Sequence, residues 1–241
     1  MEVFTMGLND FVISNARPLP VFILVDASGS MQGQKINMVN NSLKEMIASL
    51  SNIEGAKGQI EISLIKISGD VEVIQPLKKV EDIVLPELEA KGRTPIGESV
   101  TKVVKMIEDK SIVPDRAYTP VIILISDGIP TDITREMYDN SPLLKEQYLQ
   151  WEPLQSLHTS NRTKKCMKMA LGIGQDADYE LLKAFINKDN VPVIKATEVT
   201  TIAKFFEWVT MSVSQRSISA NPNQFDDIPF EDLFPEEEMV R

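Results

Sequence analysis

The sequence has a single cysteine, Cys166, among 241 residues. One cysteine can form neither an internal disulfide nor a cysteine-rich zinc site, and this favours a reducing compartment. Long apolar runs are also missing: no stretch reaches the roughly 18 apolar residues that a membrane span needs. Residues 1–17 lack the basic cluster and apolar run of a secretory leader, so the expectation is a cytoplasmic protein with no membrane contact. Positive charge is in deficit, with 25 Lys and Arg against 35 Asp and Glu, a net charge of −10 and a pI near 4.8. Such a chain repels phosphate backbones at long range, which argues against nucleic acid as a partner. The deficit is concentrated at the end. Residues 224–241 hold seven acids and one base, Arg241, or −6 of the −10.

What is present is ordinary for a soluble globular chain: 43% apolar residues, in a length that suits one large α/β domain. Residues 20–25 (PVFILV) and 121–125 (VIILI) are continuous apolar runs that read as buried central strands. Residues 59–67 (QIEISLIKI) form a third strand, and 71–74 (VEVI) pairs beside it through the Ser68-Gly69-Asp70 turn as an antiparallel edge. Ile36, Val39, Leu43, Met46, Ile47 and Leu50 share one helical face, as do Val100, Val103, Val104 and Ile107 of the helix at 96–108. Strands at 167–173 and 191–194 and helices at 179–185 and 200–215 continue the alternation. The order predicts an α/β fold, doubly wound, with a mostly parallel sheet and helices on both faces.

Two segments break the rhythm. Residues 133–165 are long and polar, and read as a helix near 143–151 followed by a Ser/Thr/Asn-rich loop at 156–163. Residues 220–241 mix acids and three prolines with Phe225, Ile228, Phe230, Leu233 and Phe234. They read as a recognition segment outside the core. The organisation expected is therefore an N-terminal extension (1–17), a domain (18–217) with an insertion (133–165), and an acidic C-terminal tail (218–241).

The chemistry gathers at strand ends. The first buried strand runs into Asp26-Ala27-Ser28-Gly29-Ser30, the second into Ser126-Asp127-Gly128. Between them, residues 92–97 (GRTPIG) offer Thr94 just before a helix. In open α/β sheets ligands sit at the C-terminal ends of strands. Asp26, Ser28 and Ser30 at alternate positions of a glycine-containing turn can aim their oxygens at one point. Two carboxylates and three hydroxyls form a hard oxygen set suited to Mg²⁺ or Mn²⁺, with Ca²⁺ also possible. Neutral hydroxyls leave such an ion under-neutralised, so it attracts a carboxylate from outside.

Asp26-x-Ser28-x-Ser30, Thr94 and Asp127 in this order resemble the metal-ion-dependent adhesion site of von Willebrand factor A (VWA) domains, over residues 19–216. The resemblance implies that Ser28, Ser30 and Thr94 are direct or near-direct ligands and that Asp26 and Asp127 act largely through water. A partner's Asp or Glu would complete the octahedron. Residues 19–31 (LPVFILVDASGSM), 127–132 (DGIPTD) and 205–214 (FFEWVTMSVS) are most similar to bacterial TerY-type proteins of tellurite-resistance and related stress systems. That similarity implies a scaffold with protein-kinase and PP2C-type phosphatase partners. The cysteine-rich C-terminal domain that some of those proteins carry is replaced here by the acidic segment.

Enzymatic readings fail on specific residues. Ser28, Asp127 and His158 occur in hydrolase triad order, but Asp26 stands where a nucleophile elbow needs glycine. Residues 92–99 (GRTPIGES) imitate a phosphate loop, but Glu98 replaces its lysine. A haloacid-dehalogenase-type site needs a second Asp where Ser28 stands. Asp132 reads as a helix cap, Cys166 as a small residue near the start of a strand, and Lys164, Lys165 and Lys168 as a solvated face. The reading is a non-enzymatic, metal-gated protein-interaction module. The alternatives are a metal-assisted phosphohydrolase using the same carboxylates and a partner subunit of an AAA+ ATPase.

Overall fold

The computed structural model describes residues 16–54, 58–134, 142–223 and 230–241. Its strands are β1 (Arg17–Asp26), β2 (Gly58–Ser68), β3 (Asp70–Lys79), β4 (Val121–Ser126), β5 (Met167–Ile173), β6 (Val193–Ala196) and β7 (Met239–Val240). Its helices are α1 (Gln34–Ser51), α2 (Ile96–Glu108), α3 (Lys145–Tyr148), α4 (Glu152–Thr159), α5 (Tyr179–Ile186) and α6 (Val199–Ile218). The strands form one sheet in the order β3-β2-β1-β4-β5-β6-β7. β2, β1, β4, β5 and β6 are mutually parallel, and β3 is the antiparallel edge read from the sequence.

The apolar run of β1 follows from burial on both sides. Leu19, Val21, Ile23 and Val25 face a core filled by α1 and α6, whereas Phe22 and Leu24 face one filled by α2, α4 and α5. Each such side chain, removed from water, contributes roughly 1.5–3 kcal/mol. From β1 the chain builds β2 and β3 on one side, then returns to build β4, β5 and β6 on the other. The order therefore reverses between β1 and β4. Neighbouring connections diverge there and leave a crevice at the carboxyl ends.

Two expectations are corrected. The polar loop at 156–163 is helical in its first part, because α4 extends to Thr159. Pro153 opens that helix and buried Leu154 and Leu157 seat it against α2. The second correction concerns the C-terminal segment, which is packed as part of the core. Phe230 and Phe234 are buried with their rings edge-on to Trp208 of α6, at centroid distances of 6.1 and 6.0 Å. β7 then pairs antiparallel with β6, Val240 opposite Val193 and Met239 opposite Ile194, and adds a second antiparallel edge. Phe225 and Ile228 lie outside the described residues.

Candidate metal centre

Asp26 ends β1 and Asp127 follows β4, and the pairing of Val25 with Ile125 sets these two strand ends side by side. Asp26 is fully buried. Its Oδ1 accepts the Ser28 N–H at 2.9 Å, which closes the turn, and its Oδ2 accepts the Ser126 hydroxyl at 2.7 Å. The Ser30 hydroxyl donates to Asp127 Oδ1 at 2.7 Å. Since that proton is committed, the 3.0 Å contact between Ser28 Oγ and Ser30 Oγ is a bond donated by Ser28. The result is a polarised chain, Ser28 to Ser30 to Asp127, whose hydroxyl lone pairs remain available. Lys35, in the first turn of α1, donates to Asp127 Oδ2 at 2.5 Å.

Thr94 reaches the same rim along an extended strap. The buried Asn40 side chain exchanges two hydrogen bonds with the Leu88 backbone, at 3.0 and 2.9 Å. Farther on, Lys91 N–H donates to the Ala27 carbonyl (2.7 Å) and the Gly92 carbonyl accepts from Gly29 N–H (3.1 Å). Gly92 has φ +78°, and a Cβ there would lie 2.9 Å from the Gly69 nitrogen, so the strap crosses the β2–β3 turn only with glycine. Thr94 is then clamped by Thr131: its N–H donates to Thr131 Oγ1 (3.1 Å) and its carbonyl accepts Thr131 N–H (3.0 Å). Asp26, Ser28, Ser30 and Asp127 are thus joined in direct hydrogen bonds. Thr94 is fixed beside them by its backbone, its hydroxyl outside the Ser28–Ser30–Asp127 chain.

Burial pushes the Asp26 carboxyl above the usual carboxylate range. Hydrogen bonds from Ser28 and Ser126 oppose this, and the nearby Asp127 charge adds to it. A cation held here would offset both the cost of burying the charge and the repulsion. The donors fit a hard ion: carboxylates and hydroxyls, without imidazole or thiolate. Among the described residues no three His, Cys, Asp or Glu side chains converge on a point, so an ion here depends on the neutral hydroxyls.

The rejected residues have other duties. His158 on α4 donates Nε2–H to the Ala184 carbonyl of α5 at 2.8 Å, and burial lowers its pKa to about 4. It is a packed neutral ring, not a base for Ser28. Burial raises the Cys166 thiol to about 12, which leaves it unreactive. Lys168 departs from the solvated face expected of it. It is buried, donates to the carbonyls of Thr163 and Cys166, and has its pKa pulled down to about 8 by burial. The Glu98 N–H at the start of α2 is occupied by Asp132 Oδ2 at 2.8 Å, so Asp132 does cap a helix, though from a distant loop.

The insertion meets this rim through Trp151, which lies over Gly97 in the first turn of α2. An added Cβ at Gly97 would overlap the Trp151 ring and lie 2.9 Å from Asp132 Oδ2. Gly97→Ala is therefore expected to cost roughly 1–3 kcal/mol by overpacking. Thermal melting should show that loss, with changed tryptophan fluorescence as the ring moves. An unchanged melting temperature would place the ring elsewhere. Lys35, Ser126 and Thr131 are the site residues that sequence reasoning missed. Only Lys35 left a signal, a base one turn beyond Ser30.

The family model described as von Willebrand factor type A domain matches residues 21–208, well over half of the chain. The chain is 30% identical over 126 residues to inter-alpha-trypsin inhibitor heavy chain H4 of Sus scrofa, which covers 48% of this chain and 13% of that protein. Among solved structures it is similar to a von Willebrand factor type A protein from Catenulispora acidiphila (TM-score 0.60, 17% identity, 82% of this chain and 43% of that one). It is also similar to the ArnB paralog VWA2 from Sulfolobus acidocaldarius (0.56, 18%, 83% and 45%). A third is proximal thread matrix protein 1 of the mussel byssus, in a structure described as having a zinc-occupied MIDAS motif (0.58, 17%, 82% and 48%). The chain spans less than half the length of each of these proteins. Among the described residues no helix is long and apolar enough to cross a membrane.

Proposed function

Because the chain belongs to the von Willebrand factor type A domain family, we propose that it is a protein-interaction module gated by a divalent cation, Mg²⁺ in first place and Mn²⁺ or Ca²⁺ as substitutes. Asp26, Ser28, Ser30, Thr94 and Asp127 would hold the ion. The observation that carries this reading is the hydrogen-bonded chain from Ser28 through Ser30 to Asp127, with Asp26 at the adjoining strand end, where the sheet order reverses. When bound, the ion supplies a Lewis-acidic position that accepts a carboxylate oxygen from an Asp or Glu of the partner. The protein's own residues arrange the rest. Asp26 closes the turn that aims Ser28 and Ser30, and the strap anchored at Asn40 and Gly92 delivers Thr94. Ile129, half exposed two residues beyond Asp127, offers an apolar contact beside the polar centre. The mussel protein described with a zinc-occupied motif supports metal occupancy in this fold.

Residues 19–31, 127–132 and 205–214 support a finer reading: a cytoplasmic scaffold of a bacterial stress-response or defence system, partnered by a protein kinase and a PP2C-type phosphatase. Affinity capture on the immobilised full chain tests it. Partners are expected to be retained in Mg²⁺, released by chelator, and absent when Asp127→Ala is the bait. Retention that ignores both chelator and Asp127→Ala would contradict the gating. An AAA+ ATPase in place of a kinase or phosphatase would reassign the partner, and phosphoester turnover abolished by Asp127→Ala would favour a phosphohydrolase.

A further inference from the structure

We infer that Lys35 is a built-in counter-ion that competes with the divalent cation for Asp127 and so lowers the cation's affinity. The inference rests on the metal-gated reading above. Lys35 is the second residue of α1, and its Nζ stands 2.5 Å from Asp127 Oδ2 while Ser30 occupies Oδ1. Asp127 is almost wholly enclosed, its side chain 1% exposed, whereas the Lys35 side chain is 35% exposed. The carboxylate cannot leave, but the long lysine stem has water into which it can swing. The ammonium reaches into the crevice between the ends of β4 and β5. A Cβ built on Gly174, just past β5, would lie 4.0 Å from Nζ, so nothing at that position crowds it.

Charge decides the role. Among the described residues the donors to Asp26 are neutral, from Ser28 and from the Ser126 hydroxyl, so Lys35 supplies a full positive charge to the pair of carboxylates through Asp127. A divalent ion drawn to Asp127 meets that ammonium within a few ångströms, at a partly enclosed site where like charges are poorly screened. The ammonium must withdraw or be endured as a repulsion. Either outcome weakens the ion's binding relative to a neutral residue at 35. The same charge protects the protein when the ion is away, because it offsets two carboxylates held together with little water. Lys35 is thus a positioning residue for Asp127 and a threshold for metal loading.

The test is a calorimetric Mn²⁺ titration of the full chain at fixed ionic strength, paired with thermal melts in chelator and in saturating Mn²⁺. Lys35→Met keeps the stem without charge. Lys35→Gln keeps a donor without charge and serves as the second variant should the first fold poorly. Both are expected to bind Mn²⁺ about two- to fivefold more tightly than the wild type, the range for losing one partly screened charge contact. Both should melt a few degrees lower in chelator, with the gap closing in saturating Mn²⁺. Unchanged or weaker Mn²⁺ binding in both variants, beside a wild type that binds, would overturn the counter-ion role alone. Absence of Mn²⁺ binding in the wild type and both variants would overturn the metal reading and this inference with it.

Discussion

Truncation after Ser219 is expected to lower the melting temperature by at least about 10 °C and to expose an apolar surface that binds hydrophobic dye. The C-terminal segment supplies two buried rings, Phe230 and Phe234, both set edge-on to Trp208. Removing one buried Phe costs roughly 3–5 kcal/mol, and a domain of this size loses about 2–4 °C per kcal/mol. The segment also supplies backbone and side-chain partners. The Pro222 carbonyl accepts from buried Arg216 at 2.9 Å, Asn223 Oδ1 accepts the Thr119 N–H at 2.9 Å, and Glu238 accepts the Thr201 hydroxyl at 2.7 Å. Losing β7 bares the edge of β6, which invites pairing with another chain. Phe234→Ala alone should reproduce much of the drop, about 10 °C. A truncated chain that melts like the full one would show these rings to be dispensable.

That segment also shows where the sequence misleads. Acids and prolines argue for a recognition segment outside the core, and the anchoring residues are spaced at 230 and 234, a single turn, too short to register as a periodic pattern. Their partner, Trp208, sits on a helix 22 residues earlier, so the pairing is a tertiary fact. The insertion misled in a similar way, since Ser, Thr and His obscured a helix that two leucines and a leading proline define. The central elements were legible for the opposite reason. β1 and β4 are buried on both faces and must be apolar throughout, and α2 begins and ends where its periodicity does.

For the candidate site, Asp26 and Asp127 could be read in sequence because they close adjoining strands, and Ser28 and Ser30 because they share a short turn with Asp26, whereas Thr94 depends on the strap. Their surroundings could not. Ser126 is one of many serines until β1 and β4 align it with Asp26, and Thr131 matters only because a turn returns it to Thr94. Lys35 sits 92 positions from Asp127 in the sequence, so their contact is a tertiary fact.

Loss of the divalent ion from Asp127→Ala is the second large effect expected. The substitution removes one of the two carboxylates that would act on the ion largely through water and ends the chain that orients Ser30, so affinity should fall by about 100-fold, the upper end of the 10- to 100-fold typical of outer-shell changes. It also frees Lys35 to leave the rim, which cannot restore the lost charge. Asp26→Ala is a less clean probe. Asp26 is fully buried and holds both the Ser28 N–H and the Ser126 hydroxyl, so its loss should lower stability as well. Thr94→Ala is the cleaner companion, since the strap is held by backbone bonds and its hydroxyl lies outside the Ser28–Ser30–Asp127 chain. The most direct measurement is calorimetric titration of Mg²⁺ and Mn²⁺ into the wild type, Thr94→Ala and Asp127→Ala, each first shown to be folded by circular dichroism. The expected result is one ion per chain for the wild type, weaker binding for Thr94→Ala and little or none for Asp127→Ala; equal affinity in all three would contradict the assignment of the metal to these residues.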